Sequence, residues 1–158
     1  MLFLKKLVGL GKPRIALLVD GPNILRKAFN IDLLEVRREL SKIGDIRVAK
    51  IYLDQYASDK LIEAMVNQGF ETEITTGDVD VTMAIEAMEC VLDPKIDILA
   101  LMTRDTDYRP VLVKARSHGK KTVIIATDVA FSAALRNTAD RILIFNGPGK
   151  MESIINNE

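Results

Sequence analysis

A chain of 158 residues, 48% hydrophobic and 28% charged, is long enough for one domain with a full core and does not have a disordered or fibrous composition. Its 22 basic and 22 acidic side chains cancel, so the surface as a whole is not built for strong non-specific nucleic-acid binding. A single cysteine and a single histidine exclude a disulfide framework, a zinc site of the usual ligands, and the common Ser/His/Asp and Cys/His nucleophile arrangements.

The chain opens on Met1 to Leu10, an apolar stretch interrupted by Lys5 and Lys6 with no small-residue cleavage site after it. Residues 1–13 therefore read as a basic, apolar arm of a cytoplasmic protein, and no apolar run approaches the roughly 20 residues of a membrane span. Ile15 to Val19 is an unbroken apolar run ended by Asp20-Gly-Pro-Asn23, the pattern of a strand buried on both faces that hands over to a helix. A short helix is expected over Ile24 to Phe29, and a second, capped by Asp32, to about Ile43. Ile46 to Leu53 reads as a strand, Ser58 to Gln68 as a helix, and Phe70 to Thr75 as a half-buried or edge strand.

Asp78 to Leu92 has a helical pattern carried by Val79, Met83, Met88, Val91 and Leu92, stopped by Asp93-Pro94. Ile96 to Met102 is a second strongly apolar strand. Thr106 to Ser117 follows as a helix with Pro110 in its first turn, where proline is tolerated. Thr122 to Ala126 and Arg141 to Phe145 complete the strands, with a short helix over Ala130 to Asn137 between them; residues 148–158 read as a polar tail. Helices that stop at Gly44, Gly69 and Gly119 and pass at once into a strand make β-α-β units. The expected fold is one α/β domain over 14–147: a three-layer, Rossmann-like sandwich with a mostly parallel sheet of five to six strands and helices on both faces.

Ligands bind such sheets outside the carboxyl ends of their strands. Asp20 ends the first strand; Asp105 and Asp107 follow the strand Ile96 to Met102; Asp80 opens the helix after Thr75. Each acid alone is a good helix cap. Together, at one sheet edge, they repel one another and call for a shared cation. Oxygen donors without His or Cys select a hard ion, Mg²⁺ or Mn²⁺, whose chemistry suits phosphodiester hydrolysis. Two other phosphate devices are missing: no Gly-x-x-x-x-Gly-Lys-Ser/Thr loop occurs, and no Gly-x-Gly-x-x-Gly follows the first strand. Cys90 reads as a buried inert thiol, His118 as a helix-end cap and Tyr108 as core rather than a base-stacking residue.

Val19-Asp-Gly-Pro-Asn23, Val79-Asp-Val81 and Thr103-Arg-Asp-Thr-Asp-Tyr108 resemble the three motifs of NYN domains, the PIN-like nuclease group that includes the LabA-like (DUF88) proteins. Ser132, Leu135, Ala139 and Asp140 resemble that group's C-terminal pattern, so the likeness runs over about residues 14 to 146. The resemblance implies a PIN-like fold with sheet order 3-2-1-4-5 and an acidic pocket that binds Mg²⁺ or Mn²⁺ to cut RNA. By position, Asp20, Asp80 and Asp105 would be the core acids and Asp107 the fourth, with Asn23 orienting Asp20 or a water. Arg104 stands where the family usually has Gly, and Glu86 where members often have Asp.

Arg104, Arg109 and Arg136, with Lys12 and Arg14, are candidates to neutralise substrate phosphates, and Ser132 joins them as a substrate-binding candidate. The leading reading is a metal-dependent ribonuclease. The alternatives are a module of the same fold that binds RNA or a protein without turnover, and a small-molecule phosphohydrolase. The oligomeric state is open, a homo-oligomer included.

Overall fold

The computed structural model describes residues 11–25, 31–127, 133–147 and 149–157. A seven-stranded sheet forms the middle layer: β1 (Arg14–Asp20), β2 (Asp45–Asp54), β3 (Glu71–Thr75), β4 (Ile98–Met102), β5 (Lys121–Ala126), β6 (Arg141–Phe145) and β7 (Met151–Ile155). Their order is β3-β2-β1-β4-β5-β6-β7. All neighbours are parallel except β7, which runs antiparallel to β6.

The expected order 3-2-1-4-5 is present, but the expected count of five to six strands was too low. The segment read as a polar tail carries the seventh strand. Gly147 and Gly149 take positive φ, Lys150 N–H bonds back to the Gly147 carbonyl at 3.0 Å, and the turn returns the chain along β6. A five-residue edge strand with three exposed residues, whose half-buried Met151 and Ile154 lie three apart, has too little apolar periodicity to announce itself.

The helices are α1 (Gly21–Ile24), α2 (Leu33–Ser41), α3 (Asp59–Asn67), α4 (Val79–Leu92), α5 (Arg109–Ser117) and α6 (Ala133–Thr138), and a 3-10 turn over Thr106–Tyr108 leads into α5. That turn replaces the first turn of the single helix expected from Thr106. Pro110 lacks an N–H to donate, so it stands at the start of the α-helix proper. Asp32 accepts from Leu34 N–H, and Ser58 from Leu61 N–H, as N-caps do. Most of the helix expected over Ile24 to Phe29, and the first half of that expected over Ala130 to Asn137, lie outside the described residues, as does the arm up to residue 10. No helix among the described residues is long and apolar enough to cross a membrane.

Successive side chains of a strand point to opposite faces. Ile15, Leu17 and Val19 of β1 and Ile98, Ala100 and Met102 of β4 therefore share one core, filled from the other side by Leu33, Val36, Leu40 and Met65 of α2 and α3. Leu18, Leu99 and Leu101 face the second core with Met83, Ala87 and Val91 of α4, Leu112 and Ala115 of α5, and Leu135 of α6. In the second layer Lys50 ties α4 to the sheet: its Nζ lies 2.7 Å from Glu86, 3.4 Å from Glu73 and 3.8 Å from Glu71. Burial pulls the Lys50 ammonium down, but the three glutamates outweigh it and hold it above its ordinary value, so the pair is ionised. At the opposite edge Asp140 is buried and accepts from Thr122 N–H at 2.9 Å and Thr122 Oγ1 at 3.0 Å, pinning β5 to the start of β6.

Gly21 has a specific steric cause. A Cβ there would collide with the backbone carbonyl oxygen of Tyr52 and with Leu53 Cδ2, because β2 passes directly over the turn. Gly77, by contrast, faces open space. Gly21→Ala is expected to lower stability by about 1–3 kcal/mol, the cost of overpacking, read as the urea midpoint, while Gly77→Ala leaves the midpoint within about 0.5 kcal/mol of the parent. Equal effects at the two sites would show that the approach of β2 is not the constraint.

Candidate functional site

Val19 of β1 is in register with Met102 of β4. The next residues, Asp20 and Thr103, leave the sheet side by side and toward the α4–α5 face, and the Thr103 hydroxyl donates to Asp20 Oδ2 at 3.1 Å. The same hydroxyl oxygen accepts from the Asp105 N–H at 3.1 Å, so Thr103 fixes the first acid and the backbone of the third motif together. Asn23 completes the clamp: its Oδ1 accepts from Arg104 N–H at 3.1 Å, joining the turn after β1 to the turn after β4. Its backbone N–H also supports Asp20.

Asp20 is only 5% exposed and, although it holds the N-cap position of α1, its side chain makes no capping bond. Capping does not account for it. Burial pushes its carboxyl above the ordinary range, the Asp105 and Asp80 charges add to this, and the Thr103 bond and the nearby Asn23 N–H offset only part. Asp105 does cap: its Oδ1 accepts from Asp107 N–H at 2.9 Å, which turns the chain so that Asp107 follows on the rim. Asp80 sits in the first turn of α4, whose N-cap Asp78 makes no side-chain capping bond.

Asp80, Asp105 and Asp107 each offer a carboxylate oxygen, and these oxygens lie within 4.8 Å of one another. Asp20 stands behind that trio, near enough to Asp80 and Asp105 for their charges to act on it. A cavity of about 200 Å³ opens beside them, lined by Asp80, Val81, Ala84, Asp107 and Tyr108. Three carboxylates around one point, with no nitrogen or sulfur donor among them, form a donor set that suits a hard divalent cation, which would relieve their repulsion.

Tyr108 is 1% exposed and belongs to the core, as its position after a buried strand suggests. Its hydroxyl has no hydrogen-bond partner among the described residues. Burial first, then Asp20, Asp80, Asp105 and Asp107, raises its pKa, so the phenol keeps its proton as a donor on the cavity wall.

The other candidates are spread more widely. Arg104 is half-buried between Asn23 and Asp105, Arg109 is exposed at the start of α5, and Arg136 lies in the last turn of α6. Ser132 lies outside the described residues. Lys12 and Arg14 are at the far end of β1, where Arg14 pairs with Asp97 at 3.1 Å, so neither shares an edge with Asp20. Glu86 turns away from the acids to Lys50. Cys90 is half-buried, and burial followed by the Asp93, Glu86 and Glu89 charges pushes its thiol up to about 11, an unreactive state. His118 Nδ1 lies 2.9 Å from the Lys114 carbonyl, the expected cap.

Thr103 was not among the residues singled out from the sequence. Its signal was there: it ends the run Ile98 to Met102 at the position that alternation assigns to the same face as Leu99 and Leu101.

Because the raised pKa of Asp20 means that its charged form is disfavoured by folding, that charge lowers the stability of the metal-free protein wherever Asp20 is ionised. Asp20→Asn is expected to raise the stability of the protein in chelator at neutral pH by about 0.5–2 kcal/mol, and to shrink the rise in melting temperature produced by Mn²⁺. A variant less stable than the parent in chelator would show that the carboxylate is a net stabiliser.

A family model described as NYN domain matches residues 14–146. Uncharacterized protein MJ0482 of Methanocaldococcus jannaschii is 56% identical over 133 residues, 84% of this chain and 55% of that protein, so the chain spans about half the length of this relative. The crystal structure of a protein of unknown function, VPA0982 from Vibrio parahaemolyticus, superposes with a TM-score of 0.75 at 21% identity, over 85% of this chain and 94% of that one, a likeness of fold. With the family model covering the three acidic motifs and nearly all of the sheet, the chain belongs to the NYN domain family.

Proposed function

We propose that this protein is a cytoplasmic ribonuclease that uses Mg²⁺ or Mn²⁺ to hydrolyse RNA phosphodiester bonds. The observation that carries the reading is the convergence of the Asp80, Asp105 and Asp107 oxygens within 4.8 Å beside buried Asp20, at the strand ends where this class of sheet binds ligands. Membership of a nuclease-like family supports the reaction class.

In this reading Asp80, Asp105 and Asp107 hold the ion directly, and Asp20 acts from behind through its charge. A bound divalent ion supplies Lewis acidity to the phosphodiester and eases formation of the attacking hydroxide at neutral pH. Thr103 and Asn23 keep the two motif-bearing loops at a fixed separation, so the acids are held before substrate arrives. In the same reading Tyr108 walls the cavity, and Arg109, exposed at the start of α5, and Arg104 would neutralise the phosphates of the substrate.

Metal titration of cleavage, on a pool of single-stranded and structured RNA, tests the proposal. Cleavage that depends on Mg²⁺ or Mn²⁺ and falls at least about a hundredfold in Asp105→Asn, at unchanged fold by circular dichroism, is the expected result. Arg104 in the place of the usual Gly favours one second reading, a module that binds RNA or a protein without turnover; metal uptake and RNA binding with no cutting would establish it. Preferential turnover of small phosphate esters would make the protein a phosphohydrolase. Absence of any metal-induced shift in melting temperature would overturn the metal site itself.

A further inference from the structure

Helix α4 is apolar on two sides. Met83, Ala87 and Val91 are buried against the sheet, while Val81, Ile85 and Leu92 are 55%, 59% and 63% exposed, with half-buried Met88 in line between them. Positions 81, 85, 88 and 92 follow the four-three-four spacing of a seam between packed helices. From Val81 to Leu92 the stripe runs roughly 16 Å along the helix. Helix α5 packs beside α4 and adds Val113, 44% exposed, to the same layer. A contiguous exposed apolar surface of this kind marks a partner.

The charges identify the partner. Of the acids on α4, Asp80 belongs to the candidate site and Glu86 is held by Lys50, which leaves exposed Glu89, with no basic residue on the helix; α5 carries Arg109, Lys114 and Arg116, the last beside Asp140, and no acidic one. Two adjacent helices of opposite charge, with apolar residues exposed on each, form a surface that complements itself after a half-turn. That is the requirement of an isologous interface.

We infer that this face is covered by a second copy of the chain, with α4 of each protomer lying against α5 of the other across a two-fold axis. Val81 lines the acid pocket as well as starting the stripe, so the interface begins at the rim of the candidate site. The inference needs no cleavage activity and stands apart from the proposed function.

Sedimentation velocity of the full chain across the micromolar range is the test. A concentration-dependent dimer is expected. Ile85→Lys, at an exposed position that leaves the fold alone, should weaken it at least about tenfold by removing an apolar contact and setting a cation against the basic helix. Glu89→Lys and Lys114→Glu should each weaken it, and the double exchange should recover most of the loss. A chain monomeric throughout, or a dimer indifferent to Ile85→Lys, would overturn the inference and place any association elsewhere, such as the β7 edge.

Discussion

The parallel pairing of β1 with β4 is the constraint on which the site depends. These strands are adjacent in the sheet but far apart in sequence, and their register sets Val19 against Met102. Alternation then sends Asp20 and Thr103 to the same face, the one covered by α4 and α5. A slip of one residue in that register would send one of them to the α2–α3 core. The crossover from β3 into α4 brings Asp80 to the same edge, and the turn after β4 adds Asp105 and Asp107. No local preference of any single segment assembles this group; the sheet order does.

Such a group costs stability. Asp20, the acid of this group that is only 5% exposed, has its pKa raised by burial, and neighbouring acids contribute to that rise. What holds the arrangement is a short set of hydrogen bonds: Thr103 to Asp20 and Arg104 N–H to Asn23 join the two loops, and Asp105 N–H to Thr103 fixes the second loop on itself. Gly21 lets β2 pass closely over the same turn. The Asp-Gly-x-Asn piece is thus a clamp: Asp20 supplies the charge, Gly21 the clearance and Asn23 the tie to the turn after β4. At the starts of β5 and β6, by contrast, Asp140 and Lys120 engage their neighbours by ordinary polar bonds, Asp140 to Thr122 and Lys120 to the Ile96 carbonyl.

Much of this was legible because the central strands are buried on both faces. Ile15 to Val19 and Ile98 to Met102 are continuous apolar runs that end abruptly in polar residues, so both the strands and the acids at their ends stand out. The edge strand β7 did not, since a five-residue segment with three exposed positions and no alternation resembles a tail. Asp105 showed why single-residue readings stay ambiguous: it caps the following turn and also offers a carboxylate oxygen to the acid trio, so a cap and a cluster member are not exclusive roles. Thr103 was hidden for another reason. A threonine at the end of a strand is unremarkable until the register shows which carboxylate lies next to it.

Helix α4 shows where periodicity runs out. Read from the sequence, Val79, Met83, Met88, Val91 and Leu92 form one buried pattern. In the structure that pattern divides: Met83 and Val91 go to the core, Leu92 to the surface, and Met88 lies between. A helix with apolar residues on two sides gives no indication, from periodicity alone, of which side the sheet takes. The sheet takes the narrower side here, because Met83, Ala87 and Val91 fit against Leu18, Leu99 and Leu101, and Lys50 pulls Glu86 down beside them. Val81, Ile85 and Leu92 are left over. Fully burying an aliphatic side chain of this size is worth roughly 1.5–3 kcal/mol, so three of them in one stripe hold unspent hydrophobic free energy. The folded monomer leaves it unused, and the neighbouring basic helix gives a second copy the charge needed to use it.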